Sequence, residues 1–79
     1  MEQKIKQDLS IGSTIRQMRI DAGLTQEAVT AKLQILGCNV SRSAYSQIEG
    51  GTYSIRISEL AALKEIFSIS FEDFFRDIK

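Results

Sequence analysis

Residues 24–51 read LTQEAVTAKLQILGCNVSRSAYSQIEGG, and the spacing within this stretch predicts two helices joined by a short turn. Thr25 suits an N-cap, where a hydroxyl accepts an unpaired backbone N–H of the first turn. Glu27 then puts negative charge at the positive helix end. Val29, Leu33 and Leu36 recur at steps of four and three, which lines up one apolar face. Gly37 ends that helix, and Cys38, Asn39 and Val40 form the turn. Ser41 caps the next helix, which runs to about Glu49, with Val40 and Tyr45 at the two positions of a hydrophobic staple. Gly50 and Gly51 break the chain again.

The helix after Ser41 divides cleanly by angle. With Arg42 at zero and about 100° per residue, Ser46, Ser43 and Gln47 fall at about 40°, 100° and 140°. Ala44, Ile48 and Tyr45 fall at about 200°, 240° and 300°. The second group must pack inward. The first is an odd choice for a solvated stripe, because serines lower helix propensity where Glu, Lys or Ala raise it. Short hydroxyls admit a close approach, while Arg and Gln each present two hydrogen-bonding atoms suited to the edges of guanine and adenine. A plain exposed stripe fits this helix about equally well, taken alone.

Working outward, Ile11, Ile15, Met18 and Ala22 mark an earlier helix that Gly23 stops. Downstream, residues 52–56 read as a loop. A fourth helix carries Ile57, Leu60, Leu63 and Phe67, and Ser54 and Ser58 both fit its N-cap. Ser70 with Asp73 opens a short fifth helix, with Ile69 and Phe74 as a second staple. Period-two alternation is missing, so no strand is predicted. The expected fold is all-α with five helices. Residues 1–9 form a flexible N-terminal arm, read as loose chain or an extra helical turn, and residues 10–79 form one domain.

A chain of 79 residues with 43% apolar and 25% charged side chains supports one small core. Net charge is zero, which argues against a general nucleic-acid coat. Up to Ile57 there are seven basic and five acidic residues, and from Ser58 onward three and five. There is one cysteine and no histidine, which leaves no intramolecular disulfide and no zinc ligand set. It also leaves no general base poised near neutral pH, so an enzyme, a metal and a cofactor are not expected. No small-molecule ligand is evident. Glu2, Lys4, Lys6 and Asp8 interrupt any leader-like apolar run, and no stretch approaches a membrane span. The expected setting is the cytoplasm. Cys38 reads as a small apolar side chain in a turn.

The combination of Ile11-Gly12 with Arg16 and Arg19, then GLTQE, then SRS-x-x-S-x-IE-x-G, then EL and FSISFEDFF resembles the DNA-binding domain of phage Cro and repressor proteins. This is the xenobiotic-response-element class of helix-turn-helix regulators, and the resemblance covers about residues 10–75. It implies a compact, lambda-repressor-like fold with the helix-turn-helix at helices 2 and 3. It further implies a transcriptional regulator, a repressor by preference, that binds double-stranded DNA as a homodimer. Arg42, Ser43 and Gln47, with Ser46 more weakly, match positions that reach base edges in the major groove. Gln26, Thr25, Arg16 and Arg56 match phosphate contacts. Arg19 and Glu49 match a structural ion pair between the first and third helices. The aromatic tail suggests a dimer interface of Phe71, Phe74, Phe75 and Ile78. An alternative on the same scaffold is a protein-interaction module, such as an antitoxin or anti-repressor. The chain departs from the pattern in three places. Its link between helices 2 and 3 is longer by about three residues, Thr30 replaces a usual Ala, and Ser68 replaces a usual Gly.

Overall fold

A computed structural model describes residues 11–75 and the backbone of residues 4 and 5. Four α-helices follow one another: α1 (Ile11–Asp21), α2 (Gln26–Ile35), α3 (Arg42–Gly50) and α4 (Ile57–Phe67). A 3-10 helix at Phe71–Phe75 closes the described chain. The expected fifth helix therefore exists as a single tight turn. Two residues on each side, β1 (Lys4–Ile5) and β2 (Ile55–Arg56), pair antiparallel, with Lys4 opposite Arg56 and Ile5 opposite Ile55. The sequence reading placed no strand there. A two-residue ladder is too short to carry an alternation, and its register comes from tertiary packing.

The caps explain where the helices begin and end. The Thr25 hydroxyl accepts from Ala28 N at 3.0 Å, and that of Ser41 from Ala44 N at 3.0 Å. Gly23, with φ +71°, and Gly51, with φ +80°, take the left-handed conformation that frees the chain from α1 and α3. For α4 neither Ser54 nor Ser58 is the cap. Arg56 holds that position, and the Glu59 carboxylate reaches back to accept its backbone N–H at 2.9 Å. Asp73 does the same for Ser70 N at 3.0 Å. Ser68 ends α4 with φ 54°, the one described non-glycine residue of positive φ; a Cβ there carries a cost that a glycine would avoid.

α1 packs on α3, α2 on both α3 and α4, and the 3-10 helix on α1. Ile15, Val29, Leu33, Tyr45, Ile48 and Leu63 meet in the centre, all with no exposed surface. Val40 joins them at 1%, consistent with its place in the staple beside Tyr45. Three expected core positions lie outside: Ala22 follows the end of α1 and is exposed, Leu36 caps α2 with 43% of its surface in solvent, and Ile57 opens α4 with 41%. The buried face of α2 ends at Leu33, and the helix itself ends at Ile35. Thr30 is accommodated because its hydroxyl donates to Gln26 O at 2.8 Å.

Gly12 sets the distance between α1 and α3. A Cβ there would lie 2.5 Å from Ile48 O and 2.7 Å from Glu49 O. Gly12→Ala is expected to lower stability by about 1–3 kcal/mol through overpacking, although alanine favours helix. Urea unfolding checks this; an unchanged or higher midpoint would show that the two helices separate freely.

Candidate nucleic-acid interface

The exposed side of α3 carries Arg42, Ser43, Ser46 and Gln47, all open to solvent. Together with Gln26 from the first turn of α2 they line one shallow depression. A second depression adjoins it, lined by Arg19, Leu24, Thr25, Gln26, Glu27 and Arg42. The shared residues Gln26 and Arg42 make the two continuous. Five of the expected base- and phosphate-contacting side chains thus meet around one concavity, with Thr25 in the adjoining one. Arg16 and Arg56 are exposed but line neither depression.

The α2 N-terminus opens into this region, so its unpaired backbone N–H groups add positive potential where an anion would sit. Thr25 accepts the Ala28 N–H, which leaves its own O–H to donate outward. Arg42 Nε lies 3.8 Å from Glu27 Oε1, with both side chains mostly in solvent. A pair this exposed contributes little and releases its arginine easily.

Behind the surface lies a buried charge network. Arg19 Nε donates to Glu49 Oε2 at 2.7 Å and Nη2 to Oε1 at 3.3 Å, while Nη1 donates to Leu24 O at 2.9 Å. The side chains of this pair retain only 14% and 3% of their surface. Gln26 Nε2 also donates to Glu49 Oε1, at 3.1 Å. Burial disfavours the Glu49 carboxylate, but hydrogen bonds from Arg19 and Gln26 outweigh it and hold the carboxyl below its ordinary value of 4.5. The bond to Glu49, set against burial, raises the Arg19 guanidinium above its ordinary range. Tyr45 sits beneath them, its hydroxyl enclosed and, among the described residues, without a hydrogen-bond partner. Burial, with the neighbouring Glu49 charge, pushes that phenol well upward.

Sequence reasoning missed the link from Gln26 to Glu49. One amide N–H of Gln26 is engaged inside the protein, and the other remains for an anion. The only signal was the TQ-x-x pattern and a distant Glu, which fixes no contact.

The expected interface of aromatic residues needs correction. Phe74 has no exposed surface and belongs to the core, because the 3-10 turn points it at α1. Phe71 and Phe75 remain 43% and 40% exposed. The Lys64 ammonium covers the Phe71 ring at 5.6 Å from its centroid. Ile78 lies outside the described residues. Among the described residues no helix is long and apolar enough to cross a membrane, and no cluster of His, Cys, Asp and Glu suits a metal ion.

Residues 10–70 match the family described as a helix-turn-helix domain. A comparison with proteins of curated function gave no match. Among solved structures, the chain is similar to the restriction-modification controller protein C.AhdI from Aeromonas hydrophila, with a TM-score of 0.72 over 84% of this chain and 92% of that one. At 23% sequence identity this likeness is one of fold.

Proposed function

The chain belongs to the helix-turn-helix domain family, and from that premise we propose that it is a sequence-specific, double-stranded-DNA-binding transcriptional regulator, a repressor by preference. It acts as a homodimer in the cytoplasm, as a binding protein and not as an enzyme. The observation that carries this reading is the groove where Arg42, Ser43, Ser46 and Gln47 stand exposed beside Gln26 at a helix N-terminus. α3 enters the major groove with that face toward the bases. Arg42 addresses guanine and Gln47 adenine, each through two hydrogen bonds. The two serines keep the helix close to the base edges. Gln26, Thr25 and the α2 N-terminus take phosphates, and Arg16 and Arg56 add charge at the flanks.

Selection of bound sequences from a random duplex pool tests the reading directly. A defined site with two related halves about one helical turn apart is expected. On that site Arg42→Ala and Gln47→Ala each cost about 1–3 kcal/mol and relax preference at one base position. Gel-shift titration against single-base variants of the site reads this out. If both variants retain full selectivity, α3 does not read bases. If wild-type protein shows no salt-dependent affinity for any duplex, DNA is not its partner.

A further inference from the structure

We propose that the groove between the end of α2 and the end of α4 is the surface on which a second copy of this chain docks; this rests on the dimeric, DNA-binding reading above and supplies its contact face. The groove is lined by Lys32, Ile35, Leu36, Glu65 and Ile66. Ile35 is 83% exposed, the highest value among the described large apolar residues, and Leu36 is 43% exposed. Single exposed apolar side chains are ordinary, but three apolar residues around one concavity form the kind of patch that associates.

The flanking charges select the occupant. Lys32 comes from α2 and Glu65 from α4, and neither forms an ion pair among the described residues. A two-fold axis running along the groove sets the α2 wall of each copy against the α4 wall of the other. Lys32 then faces Glu65 of the second copy, and Glu65 faces its Lys32, around a shared apolar centre. The face is therefore complementary to itself. The position is also compatible with DNA. Gln26 opens α2 at the α3 groove, and Ile35 lies at the opposite end of the same helix, about 14 Å away along its axis. Of the exposed Phe71 and Phe75, the first already has its ring covered by the Lys64 ammonium.

Sedimentation velocity over a concentration series tests the proposal, with thermal melts as a folding control. Wild-type protein is expected to self-associate, and Ile35→Lys to weaken that at least about tenfold with an unchanged melt. Phe75→Lys serves as the rival surface and is expected to leave association unchanged. The decisive arm uses charge reversal. Lys32→Glu alone and Glu65→Lys alone each set like charges opposite one another and are expected to be monomeric. An equimolar mixture of the two restores both pairs and is expected to dimerise. Interactions within one chain do not produce that recovery. A wild-type monomer, single variants that associate like wild type, a mixture that stays monomeric, or loss confined to Phe75→Lys would each overturn the assignment. DNA affinity is measured in parallel. Wild type that dimerises without binding duplex rejects the regulator reading and leaves this face standing; wild type that binds duplex while the variants stay associated does the reverse.

Discussion

Arg19→Ala is expected to lose about 3 kcal/mol of stability at pH 7, a large share of what a domain of this size holds. The argument runs through Glu49, whose side chain keeps only 3% of its surface in water. With the guanidinium gone, that carboxylate retains the Gln26 bond but no opposite charge. Its escape is to take up a proton. Starting from the ordinary value of 4.5, neutralisation at pH 7 costs about 3.4 kcal/mol, which caps that part of the loss.

This gives the variant a distinctive pH dependence. In the wild type the Glu49 value is lowered on folding, so its stabilising effect is fully present above pH 4.5 and fades as the pH drops through the lowered value. In Arg19→Ala the same group is buried without its partner, its value rises on folding, and acid relieves the strain. The gap between the two proteins should therefore narrow as the pH falls from 7 toward 4.5. Urea unfolding at both pH values measures it. A loss under about 1 kcal/mol at neutral pH, or a gap that holds constant, would show that Glu49 is solvated in solution.

Phe74→Ala is expected to cost about 3–5 kcal/mol, the loss of a fully buried ring plus the cavity it leaves. Phe71→Ala and Phe75→Ala, each at least 40% exposed, should stay within about 1 kcal/mol of wild type. The three neighbours thus separate a core role from a surface role in one experiment. Phe74 is also what joins the 3-10 helix to α1, so its loss should release the last turn before the rest unfolds. Chemical denaturation of the three variants decides it. A near-neutral Phe74→Ala beside a disabled Phe75→Ala would reverse the assignment.

Much of the helical framework was legible because its signals are local. Thr25 and Ser41 cap by hydroxyls that accept N–H groups three residues on, and Gly23 and Gly51 stop helices by adopting positive φ. The split of α3 into polar and apolar sides follows from its period alone, and Tyr45 and Ile48 are indeed buried while Arg42 and Gln47 are exposed. What escaped depends on distant chain segments. Arg56 caps α4 only because Glu59 folds back on it, and Leu36 falls just past the end of α2, where nothing in the described chain covers it fully. The pairing of Lys4 with Arg56 spans most of the chain. Two adjacent phenylalanines imply opposite directions, yet periodicity did not say which one the 3-10 turn would bury.

The single carboxylate of Glu49 joins the last turns of α1 and α3 to the first turn of α2. Because of this knot, the angle at which α3 leaves the body is fixed in the free protein. Under the proposed function, docking on a duplex is then expected to be a rigid-body fit, with little ordering entropy lost from α3 itself. Only the tips of long side chains such as Arg42 and Gln47 must settle. On this proposal, selectivity is expected to depend also on how readily a duplex deforms to meet a preset wedge.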